Sequence, residues 1–182
     1  MITNFDYLKK ESKFSAFADV AITAEKIILM DPESSIINSR RAMEFAIKWM
    51  YSVDKDLEMP YQDNLQSLMN AEDFRQLVSA DLLKRMDYIR RSGNNVAHSN
   101  KKLGRDEAML CLENLFIFLD YVACCYADEY RERTFDKDII TKTKEDIYKV
   151  VIAAYELAQK RTGALIVIER DIQIKDIIAT GI

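Results

Sequence analysis

The sequence predicts a mainly α protein: a helical bundle followed by a C-terminal helix–strand fragment. Three observations carry the prediction. Apolar residues recur at three- and four-residue spacing along most of the chain, the pattern of helices with one buried face. Only four glycines and two prolines punctuate 182 residues, too few for a turn-rich β fold. Hydrophobic residues make up 49% of the chain, enough to fill the core such helices would share.

Residues 12–30 read as the first helix. Phe14, Phe17, Ala18, Ala21, Ala24, Ile27 and Ile28 fall on one face, and Ser12 is placed to cap the start. Asp31, Pro32 and Glu33 then restart the chain, with a capping carboxylate, a proline at the first helical position and an acid in the first turn. The second helix runs to about Tyr51, and Ile36, Ile37, Met43, Ala46, Ile47 and Met50 make its apolar stripe. Residues 53–63 are a polar connection, followed by short helices at about 64–70, 72–79 and 80–92. Gly93, Asn94 and Asn95 break the pattern. A long helix follows Gly104, from about Arg105 to Tyr130. Loops this short predict antiparallel neighbours.

Near residue 140 the character of the sequence changes, dividing a helical domain, residues 1–140, from a fragment, residues 141–182. Residues 142–161 form one more amphipathic helix, whose apolar face is Ile147, Val150, Val151, Ala154 and Leu157. Residues 164–169 are a β-branched run that reads as a strand. A lone strand leaves its backbone edges unpaired, so the tail is expected to associate with a second copy or to be poorly supported.

The net charge of −4 argues against a general nucleic-acid coat while leaving room for a local basic patch. Cys111, Cys124 and Cys125 sit inside one apolar helical pattern and read as buried thiols in a reducing cytoplasm. No metal-ligand spacing, glycine-rich phosphate loop or serine nucleophile elbow is present, so neither metal nor cofactor is expected. The start of the chain lacks a basic-then-apolar signal. The most apolar stretch, residues 115–127, is cut by Asp120 and is shorter than the roughly 20 residues that span a bilayer. A cytoplasmic protein without a membrane partner is expected.

Two groups of residues could carry chemistry. The first is Arg90, Arg91, Ser92, Gly93, Asn94, Asn95, Val96, Ala97 and His98, followed by Lys101 and Lys102. His98 is the only histidine, and it stands where cations gather beside a side chain that titrates close to neutrality. In one reading, His98 moves a proton in metal-free RNA cleavage while Arg91 stabilises the phosphate charge. In the other, His98 buttresses a helix junction and Asn94 bonds the local backbone. Either way the segment from Arg90 to Lys102 is expected on an exposed junction. The second group is Arg40, Arg41 and Lys48. Adjacent arginines lie about 100° apart on a helix, so one is expected to pair with an acid, with Glu44 a turn away; alternatively the three form a phosphate-binding face. Trp49, Tyr51, Phe74, Tyr88, Phe116, Phe118 and Tyr121 fall within helical segments and read as core rather than as a base-stacking platform.

Several ordered blocks carry a family resemblance: Asn4 to Glu11, Phe14 to Asp19, Ala24 to Lys26, Ser39 to Glu44, Lys48 to Tyr51, Pro60 to Leu65, the Gly93-Asn94-x-x-Ala97-His98 motif and Glu113 to Phe116. Over about residues 3–137 the chain resembles the N-terminal, HEPN-like domain of type I restriction enzyme R subunits. That resemblance implies a HEPN-like helical bundle that binds a partner without catalysis. The implied partners are restriction–modification subunits, DNA or RNA, or a second copy of the chain. Nucleic-acid contacts would come from Arg40, Arg41, Lys48, Arg90, Asn94, Lys101 and Lys102. Active HEPN members are RNases with an Arg-x(4–6)-His motif, and Arg91 with His98 fits the outer limit of that spacing, which implies a metal-independent RNase as the alternative. The nuclease and helicase motor regions that follow this domain in R subunits have no counterpart here, so neither DNA cleavage nor translocation is implied. Residues 158–170 and 178–182 resemble the opening of a diadenylate cyclase domain. That family's Asp-Gly-Ala and Arg-His-Arg motifs are absent, which implies an inactive remnant.

Overall fold

Asp31 and Pro32 start the helix against which the others pack. The computed structural model describes residues 2–98 and 103–159, and for His98 and residues 142–147 the backbone alone. The Asp31 carboxylate accepts from the Ser34 backbone N–H at 3.0 Å and from the Ser34 hydroxyl at 2.6 Å, satisfying a donor that a helix start leaves open. Pro32 occupies the first turn, where a missing N–H costs nothing. The helix so begun, α2 (Pro32–Val53), follows α1 (Ser15–Ile27) and precedes two short helices, α3 (Leu65–Asn70) and α4 (Glu72–Leu77). Then come α5 (Ala80–His98), α6 (Arg105–Tyr126) and α7 (Lys137–Gln159). The chain forms two compact units, Thr3–Asp136 and a second that begins at Lys137.

Side-chain contacts fix the directions within the first unit. The Leu103 N–H donates to Glu33 at 3.3 Å, and Arg105 reaches the Leu29 carbonyl at 3.5 Å, so α6 begins beside the α1–α2 turn. At the far end the Tyr126 hydroxyl donates to the Asp54 carboxylate, so α2 and α6 run parallel. Lys13, just before α1, pairs with Asp128, just past α6, at 2.6 Å, which sets α1 antiparallel to both. Arg85 near the start of α5 donates to Asn114 in the middle of α6 at 3.2 Å, and Gly93 near its end lies on Arg40 in the first half of α2. Thus α5 is antiparallel to α2 and α6, and the four long helices alternate up and down.

The core is what the periodicity selects. Phe17, Ala18, Ile36, Met43, Ile47, Met86, Ile89, Leu112, Leu115, Phe118 and Val122 are buried, and each large side chain contributes roughly 1.5–3 kcal/mol. Tyr51, Phe74, Phe116 and Phe118 are buried, while Trp49, Tyr88 and Tyr121 are half-buried. Trp49 stacks edge-on against Phe14 at 5.2 Å and Tyr126 at 5.4 Å, closing the end where α1 begins and α2 and α6 stop. α6 is long and apolar enough to cross a membrane, with a mean hydropathy of 1.7 in its most apolar stretch, but 56% of that stretch is buried.

Several expectations change. Residues 12–14 form a 3-10 turn, and the α-helix starts at Ser15 without a side-chain cap, so Ser12 does not cap it. Gly93, Asn94 and Asn95 do not end a helix; α5 runs through them to His98. α6 stops at Tyr126 rather than Tyr130, and α7 begins at Lys137 rather than at residue 142. Cys111 is buried, but Cys124 and Cys125 are exposed. Cys124 turns off the core stripe, and Cys125, one residue before the helix ends, lies past the last buried layer at Val122 and Ala123. No strand occurs among the described residues, and residues 164–169 lie outside them. In the second unit, α7 exposes an apolar stripe of Tyr148, Val151, Ile152 and Tyr155 at helical spacing.

The irregular chain at both ends of the first unit is tied down by one asparagine. The Asn4 N–H donates to both oxygens of Glu25, at 3.1 and 3.0 Å, and its amide donates to Glu25 at 3.2 Å and to the Asp136 carbonyl at 3.1 Å. The Asn4 side-chain oxygen Oδ1 accepts from the Asp136 N–H at 2.7 Å. Glu25 is buried on α1, and loss of water there pushes its carboxyl up from 4.5 to about 7, against the lowering effect of the Asn4 hydrogen bonds. A carboxyl raised on folding favours the folded state fully below its unfolded value and loses that contribution as pH rises through the folded one. At about 1.4 kcal/mol per pH unit, the span from 4.5 to about 7 corresponds to about 3 kcal/mol. Denaturant unfolding of wild type and Glu25→Gln should therefore show the variant gaining on wild type as pH rises through this window, by about 3 kcal/mol in all. A pH-independent difference would show that Glu25 titrates normally.

Candidate functional site

Lys84, Asp87 and Arg91 recur at three- and four-residue spacing, so α5 presents them on one face. Arg90 flanks that face. Opposite stand α3 and α4, whose placement follows from Tyr51. The Tyr51 hydroxyl donates to the Leu68 carbonyl at 2.8 Å, and its ring stacks on Phe74 at 5.8 Å with 11° between planes. Asn64 caps α3 by accepting from the Ser67 N–H at 3.0 Å. Phe74 is buried, so its neighbour Arg75 is carried to the cleft side of α4.

The resulting cleft has a volume of about 400 Å³. Gln66, Met69 and Asn70 of α3 line one wall, Arg75 of α4 another, and Ala80, Leu83, Lys84, Asp87, Arg90 and Arg91 of α5 the floor. Four cations share it with one carboxylate. Asp87 Oδ1 accepts from Arg90 Nε at 3.0 Å and Nη2 at 2.7 Å, and Asp87 Oδ2 lies 2.6 Å from Arg91 Nε. Arg90 is mostly buried beneath this pair, with its side chain 16% exposed, whereas Arg91 is 72% exposed. Among the described residues neither Arg75 nor Lys84 has an ion-pair partner. The cleft can therefore hold an anion, with planar guanidiniums suited to phosphate or carboxylate oxygens.

Arg90 and Arg91 enter this cleft. Arg40, Arg41 and Lys48 do not. On α2, Glu44 lies 3.9 Å from Arg40 and 3.2 Å from Lys48, and Asp63 lies 3.7 Å from Lys48. Arg41 stands over the Phe45 ring at 5.2 Å. Asn94 is half-buried on α5 and does not line the cleft. His98 is the last residue of α5, seven positions after Arg91 and hence two turns along the same stripe. Lys101 and Lys102 lie outside the described residues. The segment expected as an exposed junction is instead mixed: Arg91 is exposed, but Ser92 and Gly93 are buried. Arg75, Lys84, Asp87, Gln66 and Asn70 were not singled out in the sequence. The spacing of Lys84 and Asp87 with Arg91 could have shown two of them; Arg75 and the α3 amides join them only through tertiary packing. No group of residues that could hold a metal occurs among the described residues.

These features define an α-helical bundle with a cationic cleft on one face. Residues 23–160 match the family model described as Domain of unknown function (DUF4145), and the chain belongs to that family. The match includes the whole cleft and runs through α7, leaving residues 1–22 and 161–182 outside it. No curated protein matches the chain, and no solved structure does.

The floor of the cleft is held against α2 by Gly93. A Cβ built there would lie 2.4 Å from Cδ of Arg40, 3.0 Å from its Cβ and 3.2 Å from its Cγ. Alanine favours a helix interior over glycine by about 1 kcal/mol, but overpacking of this kind costs about 1–3 kcal/mol. Gly93→Ala is expected to destabilise by about 1–2 kcal/mol in denaturant unfolding. In an Arg40→Ala background most of that cost should vanish, since the clashing stem is gone. Additive effects in the double-mutant cycle would show that the two residues are not in contact.

Proposed function

We propose that this chain is a non-catalytic interaction module that binds a nucleic-acid strand through the α5 cleft. The observation that carries this reading is the segregation of charge. A protein with net charge −4 gathers Arg75, Lys84, Arg90 and Arg91 in one cleft against a single carboxylate. A guanidinium pair is matched to phosphate oxygens, and counterion release from the bound strand supplies the affinity. The likeness to R-subunit N-terminal domains offers restriction–modification subunits as well as DNA and RNA. The cleft favours nucleic acid, because its excess cations need a partner dense in negative charge.

A second reading has a separate support. Arg91 and His98 share one stripe of α5, two turns apart. In metal-independent cleavage, a histidine would take the proton from an RNA 2′-hydroxyl as that oxygen attacks phosphorus, and the 5′-oxygen would leave with a proton. An arginine would stabilise the charge on the phosphoryl oxygens.

Fluorescence anisotropy with labelled single-stranded RNA and DNA tests the binding reading. Affinity should fall steeply with salt, with a log–log slope of about −2 to −3 for three to four neutralised phosphates. Arg75→Ala combined with Lys84→Ala should make the slope shallower by about 1.4. Binding that is absent, or that ignores salt, would remove the proposal. Incubation of RNA with protein in EDTA separates the second reading: 2′,3′-cyclic phosphate ends produced by wild type and lost in His98→Ala would replace the binding module with an RNase.

A further inference from the structure

We infer that the α5 cleft receives a terminal phosphate monoester rather than the phosphodiester backbone of a strand, and that Asp87 holds the arginine fork that receives it. The inference rests on the nucleic-acid reading above. Asp87 already occupies the arginine forks in the manner of a phosphate. One of its oxygens takes both Nε and Nη2 of Arg90, and the other faces Nε of Arg91. An incoming anion must share or displace this resident monoanion. A phosphodiester carries one negative charge, so it exchanges like for like and gains little. A phosphate monoester carries about −1.5 to −2 near neutral pH and offers three terminal oxygens, enough to engage Arg91 together with the unpaired Arg75 and Lys84.

The shape of the cleft agrees with an end rather than a passing strand. All four cations gather in one cavity of about 400 Å³, a size typical of pockets for a single small ligand. A groove that follows a strand distributes its cations over several nucleotides. Beyond the arginines lie Gln66 and Asn70, neutral amides whose side chains make no hydrogen bond among the described residues, beside Met69 and Leu83. That combination can hydrogen-bond a sugar or base edge and cover its face. Asp87 is thus a positioning residue: it holds Arg90 and Arg91 in a preformed fork.

The experiment uses the full chain and one short single-stranded RNA prepared with a 5′-phosphate, a 3′-phosphate or hydroxyl ends, with adenosine 5′-monophosphate as competitor. A phosphorylated end should bind about tenfold tighter or better, and the preference should shrink as the solution is acidified through about pH 6, where a monoester takes up a proton. Asp87→Asn should loosen the fork and weaken the phosphorylated RNA more than the hydroxyl-ended one, cutting the preference to about threefold or less, while Asp87→Glu should retain it. Competition by adenosine monophosphate at the affinity of the phosphorylated RNA would support the monoester and assign it to a free nucleotide. Failure to compete would support it and assign it to a strand end. Equal binding of phosphorylated and hydroxyl-ended RNA, still lost in Arg91→Ala, would overturn the inference while leaving the nucleic-acid module standing. Equal weakening of both RNAs in Asp87→Asn would overturn the role of Asp87, reducing it to a brace. Absence of binding to any of the RNAs would overturn both.

Discussion

The close approach of α5 to α2 at Gly93 is the constraint on which the arrangement rests. Helices that carry ordinary side chains at their contact stand 8–10 Å apart, and a residue without a Cβ lets them come nearer. Here the stem of Arg40 lies where a side chain at 93 would be. Because α5 is seated there, its next core residues, Met86 and Ile89, are buried, and Arg85 lies within reach of Asn114 on α6. The opposite face of α5, with Lys84, Asp87 and Arg91, is then left to meet α3 and α4. One glycine therefore serves the bundle on one side of the helix and the cleft on the other.

Charge in the first unit is sorted in a way that packing alone does not require. On α2, Arg40 and Lys48 are met by Glu44 and Asp63, in exposed or half-exposed pairs of the kind worth at most about 1 kcal/mol. At the ends, Lys13 with Asp128 and Arg133 with Asp120 fasten the chain on either side of the helices. In the cleft four cations outnumber one acid, and Arg75 and Lys84 have no ion pair among the described residues. Holding like charges together costs folding energy, so the cluster fits a ligand that neutralises it better than it fits a structural brace.

Local signals were legible in the sequence, and signals that depend on a neighbour were not. Asp31 and Pro32 could be read directly because a cap and a first-turn proline act within four residues. The core stripe of α2 was readable for the same reason, since Ile36, Met43, Ala46, Ile47 and Met50 are all buried. Gly93 was misread because a glycine beside two asparagines has the composition of a break, and only Arg40 on another helix shows why α5 continues through it. The expected nucleic-acid contacts held Arg90 but also Arg40, Arg41 and Lys48, which α2 carries outside the cleft. Arg75 was invisible: nothing in residues 72–77 reveals that Phe74 turns inward and carries its neighbour to the cleft.

The burial of α6 has a consequence for how the chain is made. This helix is apolar enough to be mistaken for a membrane segment while it is still an extended nascent chain. It is also the last of the four bundle helices to leave the ribosome, after α1, α2 and α5 have been released in order. Synthesis proceeds at about 5–20 residues per second, far slower than helices form, so the surface that α6 needs can assemble before α6 emerges. The order of the helices along the chain thus releases the helices that bury α6 before α6 itself.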